Sequence, residues 1–246
     1  MTDKHVALVT GSSSGIGAEV ARRLSAEGWA VVVNSARSVR AGEELADSLD
    51  DACYVQADIA DPEQARGLVQ RVVDTRGRLD VLVNNAGRTR PIPHGDLEAV
   101  TSEVWHEILD LNVIGTWHTT VAAMPHLKKS GNGAVVNISS VAGTRPAGSS
   151  IPYAVSKAAV SHMTRLLAAA VGPEVRVNAV APGLVATPWI EGSAGFAPIR
   201  QRVESTTPLR RVGTPADVAD ATIGLLRSTY TTGEVLLVDG GAHLLI

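Results

Sequence analysis

The chain has 246 residues, with 22 Lys and Arg against 25 Asp and Glu, for a formal net charge of −3. That balance leaves no basic excess to hold a nucleic acid. No apolar run reaches the roughly 18 residues that a membrane-spanning helix needs. The single cysteine, Cys53, excludes an internal disulfide, fits a reducing compartment and is expected to be buried and inert in its apolar run. The opening residues, MTDKHVALVTG, carry no signal-peptide pattern, so a cytoplasmic protein is expected. Aromatic residues make up only 3% of the chain, which predicts an aliphatic core, and the seven histidines form no metal motif.

Short β-branched runs alternate with amphipathic ones along the whole chain. HVALVT (5–10) reads as a strand, and GIGAEVARRLSAEG (15–28) as a helix stopped by Gly28. AVVVN (30–34), RAGEELADSL (40–49) and CYVQA (53–57) follow as strand, helix and strand. The segment 61–77 begins with Asp61 as cap, Pro62 in the first turn and Gln64 three residues on, the marks of a helix start. LDVLVNN (79–85) is a fourth strand and 101–128 a long helical region. Strands at 133–139, 175–181 and 234–239 and helices at 151–171 and 214–227 complete the alternation. Strands apolar on both faces and separated by helices predict one domain, residues 1–246, with a doubly wound parallel sheet of about seven strands covered on both sides. The exception is 187–213, rich in Gly, Pro, Ser and Thr and containing Trp189 and Phe196, which is expected to form a substrate lid.

The first strand–helix junction, VTGSSSGIG (9–17), invites two readings. Glycines at 11, 15 and 17 allow a tight turn and close ligand approach, and the helix amides behind them suit a pyrophosphate. The same letters match G-x-S-x-G, with Ser13 as a hydrolase nucleophile. That elbow needs an oxyanion donor from an earlier strand's loop, and no earlier strand exists. His243 stands in no supporting motif.

Tyr153 and Lys157, in SSIPYAVSKAAV (149–160), stand four residues apart and so share one helix face. A neighbouring ammonium favours phenolate, so Lys157 is expected to lower the pKa of Tyr153 and tune it for proton transfer.

Six motifs in order now carry a resemblance. TGSSSGIG (10–17), NNAG (84–87), LDLN (109–112), NISS (137–140), YAVSK (153–157) and PGLVAT (182–187) resemble the short-chain dehydrogenase/reductase family over essentially the whole chain. The resemblance implies a Rossmann-like fold and a catalytic tetrad of Asn112, Ser140, Tyr153 and Lys157. Tyr153 would be the general acid/base, Ser140 would hold the substrate oxygen, and Asn112 would help hold a water linked to Lys157. The resemblance selects Ser140 over Ser139, because it implies a fixed distance in sequence from the serine to Tyr153, and strand alternation points the two serines in opposite directions. Asn112 and Gly115, inside a helical region, suggest a local kink.

Along the cofactor the resemblance places Gly11, Ser13, Ser14, Gly15, Ile16 and Gly17, then Asp58 and Ile59 at the adenine. Asn85, Ala86 and Gly87 would follow, with Tyr153 and Lys157 beside the nicotinamide ribose. Pro182, Gly183, Val185 and Thr187 would line the nicotinamide end. One of Asn84 and Asn85 would be a structural brace. NAD selectivity normally uses an acid at the end of the second strand. Here VVVNSARSVR has none, and Arg37 and Arg40 follow instead. An arginine fork suits a 2′-phosphate, so NADP(H) is favoured over NAD(H). Ser14 restrains this, because many NADP-using relatives carry a basic residue there.

The overall pattern is most like 3-oxoacyl-acyl-carrier-protein reductases, which makes a ketone, a secondary alcohol or an acyl thioester the expected substrate. Lys128 and Lys129 offer a contact for an acidic carrier protein. The segment RTRPIPHGD (88–96) departs from that group. The family suggests a homotetramer or homodimer. The rival readings are an NAD-dependent alcohol dehydrogenase, a serine hydrolase using Ser13, and a dinucleotide sensor without catalysis.

Overall fold

The computed structural model describes residues 4–188 and 196–244. Strand β1 (Val6–Val9) leads through α1 (Gly15–Ala26), β2 (Ala30–Ser35), α2 (Val39–Asp47), β3 (Ala52–Gln56) and α3 (Pro62–Arg76) to β4 (Val81–Asn84). Helices α4 (Ser102–Leu109) and α5 (Thr116–Lys129), β5 (Gly133–Ile138), α6 (Ile151–Val171) and β6 (Val175–Pro182) follow. Helices α7 (Phe196–Thr206) and α8 (Pro215–Arg227) precede β7 (Val235–Val238). The strands form one sheet in the order β3-β2-β1-β4-β5-β6-β7. Every neighbouring pair is parallel. The expected doubly wound fold is what the chain forms.

Strand alternation builds two cores, one on each face. Val6 and Leu8 pack with Leu68, Val72, Leu127 and Leu167 under α3, α5 and α6. Ala7 and Val9 pack with Ala21, Leu24, Val218 and Ile223 under α1 and α8. Each fully buried aliphatic side chain contributes about 2 kcal/mol, so both faces of the sheet are held firmly. Order along the sheet reverses between β1 and β4, which opens a crevice beyond their C-terminal ends.

Local chemistry sets the helix starts. Asp61 accepts from the amides of Glu63 (2.8 Å) and Gln64 (3.1 Å), with Pro62 in the first turn. Thr214 and Asp217 form a reciprocal capping box at α8. Ser150 caps α6 and thereby fixes the turn that carries Tyr153.

One expectation changes and two gain detail. The kink expected at Asn112 and Gly115 within 101–128 is a π-helical turn, Asp110–Gly115, which separates α4 from α5, and α5 continues to Lys129. Gly115 sits so close to Ile59 that a Cβ would lie 3.0 Å from its carbonyl oxygen, and the widened turn accommodates this approach. The segment 187–213 contains helix α7, and its feet are joined: Ala186 donates to Gly213 (2.9 Å) and Gly213 to Leu184 (3.0 Å). Trp189 lies outside the described residues. Cys53 is half-buried rather than fully buried, and it lies beside Arg76.

Candidate active site

A cavity of about 550 Å³ lies at the C-terminal end of the sheet. Its first wall is the glycine loop. Gly11 and Gly15 adopt positive φ, +59° and +58°, and a Cβ on Gly11 would lie 2.7 Å from the Cα of Ala86. Asn85 pins this loop by donating to the carbonyls of Thr10 (3.0 Å) and Gly11 (2.8 Å). Ser14 opens α1 without a side-chain cap, so the first amides of the helix stay available to an anion. Gly11, Ser14, Gly15 and Ile16 line the cavity; Ser13 and Gly17 do not. Gly17 instead lets the helix approach Asn85, whose Nδ2 would be 2.4 Å from a Cβ there.

Beyond β2 the wall is organised by Asn34. Its Oδ1 accepts from Gly11 N–H (3.3 Å), and its Nδ2 donates to the carbonyls of Val55 and Ala57, both at 3.1 Å. Its backbone exchanges bonds with Ser12. One buried side chain therefore ties together the three loops that surround this end. Sequence reading passed over Asn34, although a polar residue ending a buried run of valines was its visible signal. Arg37, Ser38, Asp58 and Ile59 line the same end. Helix α2 starts there with no side-chain cap and no acid in its first turn. Arg40 is turned away onto Glu44 (2.7 Å). Asp58 uses Oδ1 to accept from Ala60 N–H (3.0 Å).

At the other end Ser140, Tyr153 and Lys157 line the cavity together. The Ser140 hydroxyl, which reaches the Pro182 carbonyl at 3.5 Å, lies near enough to the Tyr153 phenol to favour its ionised form. Ser139 also lines the cavity, but its hydroxyl is engaged beneath α6, donating to the Lys157 carbonyl (2.9 Å) and meeting Ser161 (2.7 Å). Lys157 is buried and donates to the Ile138 carbonyl (2.8 Å). The expected lowering of the Tyr153 pKa by Lys157 gives way to the effect of burial. Burial pushes the phenol up, opposed by the Ser140 hydroxyl, while burial pushes the Lys157 ammonium down to about 8. Desolvation is the leading cause for both groups.

The Asn112 side chain is held by protein partners. Its side chain accepts from Arg88 N–H (2.8 Å) and donates to Arg88 C=O and Ser156 Oγ, both at 2.9 Å. It therefore clamps the chain just after Gly87. A Cβ on Gly87 would lie 3.3 Å from Asn112 Oδ1 and 3.5 Å from Lys157 Nζ. Asn84, not Asn85, is the deep brace, donating to Asn137 and Thr120 at 2.9 Å. Pro182, Gly183, Val185 and Thr187 line the remaining wall, with Asn85, Ala86 and Gly87 between the two ends. His243, the hydrolase candidate's histidine, pairs with Asp239 (2.9 Å).

A protein-family model described as enoyl-(acyl carrier protein) reductase matches residues 11–243. A Streptomyces violaceoruber protein, whose name assigns it to ketoacyl reduction in the granaticin polyketide synthase, is 70% identical over 98% of this chain and 96% of its own length. The chain belongs to the short-chain dehydrogenase/reductase family. The 3-oxoacyl-[acyl-carrier-protein] reductase FabG of Thermotoga maritima is 37% identical over 96% of each chain. A crystal structure of a Burkholderia xenovorans protein described as a short-chain dehydrogenase/reductase superposes with a TM-score of 0.92, at 33% identity and full coverage of both chains. The chain is thus an oxidoreductase of the ketoacyl-reductase-like kind, and its family implies a nicotinamide dinucleotide.

The residues present fit such a group. The Thr187 hydroxyl is buried at the cavity wall with no hydrogen-bond partner among the described residues, a donor left for a ligand. A Cβ on Gly11 would collide with Ala86, and both Gly11 and Gly15 hold a left-handed φ that side chains resist. Among the described residues no helix is long and apolar enough to cross a membrane.

Proposed function

We propose that this protein is an NADP(H)-dependent ketoreductase, with Tyr153 as the general acid/base and Ser140, Lys157 and Asn112 as its partners. The observation that carries the reading is one continuous cavity. It has an uncapped glycine-loop helix at its middle, Arg37 at one end and the Ser140–Tyr153 pair at the other. Gly11, Ser14, Gly15 and Ile16 would hold the pyrophosphate, and Asp58 and Ile59 the adenine. Asn85, Ala86, Gly87 and Lys157 would hold the nicotinamide ribose, and Pro182, Gly183, Val185 and Thr187 the carboxamide. When bound, the dinucleotide supplies the hydride.

The chain's own residues handle the proton. A phenol whose pKa is raised by burial is fully protonated at neutral pH, the state a carbonyl reduction needs. Ser140 orients the carbonyl oxygen and Tyr153 delivers the proton to it, giving a secondary alcohol. Lys157, with a pKa of about 8, remains mostly cationic near pH 7 and stabilises the phenolate that results. Asn112 acts by holding the Arg88 backbone, and through it Gly87, against Lys157.

Arg37, beside the uncapped and acid-free start of α2, supports the 2′-phosphate of NADP(H). The exposed Ser14 is the one observation favouring an NAD(H)-dependent alcohol dehydrogenase. A ketone, or a ketoacyl thioester like those implied by the names of its relatives, is the substrate class. Lys128 and Lys129, exposed at the end of α5, are the contact an acidic carrier protein would use. Ile114, Trp117 and Val121 form one exposed apolar stripe, and Val155 and Leu166 another on α6, which supports a homodimer or homotetramer.

The experiment is a ketone and alcohol panel with both cofactors, followed at the nicotinamide absorbance, for wild type and Tyr153→Phe. Reduction should be faster with NADPH and should fall by about 10²–10⁴ in the variant while cofactor binding persists. An inert wild type, with cofactor bound equally by both proteins, would support a sensor instead.

A further inference from the structure

Among the described residues, four charged ones line the cavity: Arg37, Asp58, Arg88 and Lys157. Arg37 and Asp58 follow β2 and β3 and belong to its far end. Lys157 is buried and holds the Ile138 carbonyl. Arg88 is left as the charged lining residue at the reacting end, directly after Gly87, which lies beside Lys157.

Its position is built, not incidental. Asn112 holds both the N–H and the C=O of Arg88 and connects through Ser156 to the Tyr153 carbonyl (2.7 Å). One residue further, Thr89 hydrogen-bonds Ser149, and Ile92 donates to the Ser149 carbonyl (2.8 Å). Ile92 then packs with Val104 and Ile108 in a small core of its own. The segment 88–92 is therefore a fixed wall tied to the helix that carries the tyrosine.

The charge on this wall is unbalanced. Glu107 pairs with Arg88 at 3.2 Å and with Arg90 at 3.8 Å, so two guanidinium groups share one carboxylate. These side chains are partly solvated, and an ion pair of this kind is weak. Arg88 can leave Glu107 at little cost, because Arg90 remains to neutralise it.

We propose that Arg88 reads the substrate, and that the ketone this site is shaped for carries a carboxylate. The Arg88 guanidinium binds the carboxylate while Ser140 and Tyr153 serve the carbonyl; this rests on the ketoreductase reading above. An arginine fork matches a carboxylate in two parallel hydrogen bonds, which gives orientation as well as attraction.

The test compares 4-oxocyclohexanecarboxylate with its methyl ester, which has the same ring and ketone without the charge. Wild type should prefer the acid by at least about tenfold in kcat/KM, with the preference shrinking as salt rises. Arg88→Met should lose about tenfold or more on the acid, mainly through KM, and far less on the ester. Arg88→Lys should recover part of the preference. Glu107→Gln, a change on the partly exposed α4, should lower KM for the acid by removing the competing carboxylate, and it tests the idea even where Arg88→Met folds poorly. An ester as good as the acid in wild type, or Arg88→Met and Glu107→Gln moving both substrates equally, would overturn the proposal while leaving the ketoreductase reading intact. Inertness toward both, and toward cyclohexanone, would overturn the reading and the proposal with it.

Discussion

Lys157 holds its ammonium 5.8 Å from the centre of the Tyr153 ring and donates to the Ile138 carbonyl at 2.8 Å. The lysine is thus anchored to the end of β5 by a bond that does not involve the phenol. The sheet fixes its position, and a cofactor entering the cavity meets a preplaced cation. The anchoring requires burial, and burial has a measurable consequence.

Burial lowers the Lys157 pKa from its ordinary 10.5 to about 8. Between those values the unfolded chain holds a proton that the folded protein has released, so stability rises with pH through this window. The strain of the buried cation is fully present below about pH 8. Relative to Lys157→Met, the cofactor-free protein should gain about 2 kcal/mol of unfolding free energy between pH 7.5 and 10. Urea titrations at successive pH values check this. Parallel profiles for the two proteins would mean that the lysine is not desolvated.

Adjacent serines should separate function from support. Ser140 faces Tyr153, whereas Ser139 bonds Lys157 C=O and Ser161 under α6. Ser140→Ala should lower kcat by about 10²-fold with little loss of stability. Ser139→Ala should leave a larger share of kcat and cost about 1–2 kcal/mol in unfolding, because a buried carbonyl loses its donor. Steady-state kinetics and denaturant titration on the same two variants decide it.

The chain showed its sheet plainly because aliphatic runs of period two and helices of period 3.6 leave few alternatives once caps such as Asp61 and Thr214 are recognised. The glycine loop was legible for the same reason: Gly11 and Gly15 occupy conformations that other residues resist. Relations between distant residues were not legible. Asn112 and Arg88 meet only because the π-helical turn rotates Asn112 toward the loop after β4, and nothing local encodes that partner. The direction of the Tyr153 shift was misjudged for a related reason. Four-residue spacing places two groups on one face, but desolvation depends on what the fold packs around them. Ser13 and Gly17 belong to the motif but not to the cavity wall, since a turn also needs residues that only shape it.

On the NADP(H) reading, Arg37, which lines the far end of the cavity, is the discriminating group. Arg37→Leu should raise KM for NADPH by about 10–100-fold and change KM for NADH by less than about threefold, since only the former brings a 2′-phosphate. Kinetics with each cofactor at saturating ketone provide the check. Equal losses with both would place the arginine in general support of the loop rather than in phosphate recognition.

Asn34 separates a structural argument from a simple charge argument. An acid at the end of β2 is the usual device for NAD(H), so Asn34→Asp looks at first like a switch of preference. The hydrogen bonds argue otherwise. Asn34 Nδ2 donates to the carbonyls of Val55 and Ala57, and a carboxylate there would face two acceptors with nothing to give them. Its burial would add the cost of desolvating a charge. Asn34→Asp should therefore weaken binding of both cofactors by about tenfold or more and lower stability by about 2 kcal/mol or more, with no gain for NADH. Fluorescence titration of NADPH and NADH, paired with denaturant unfolding, tests both halves. A variant that binds NADH more tightly than wild type would show that Asn34 acts through charge at the ribose rather than through the loops it joins.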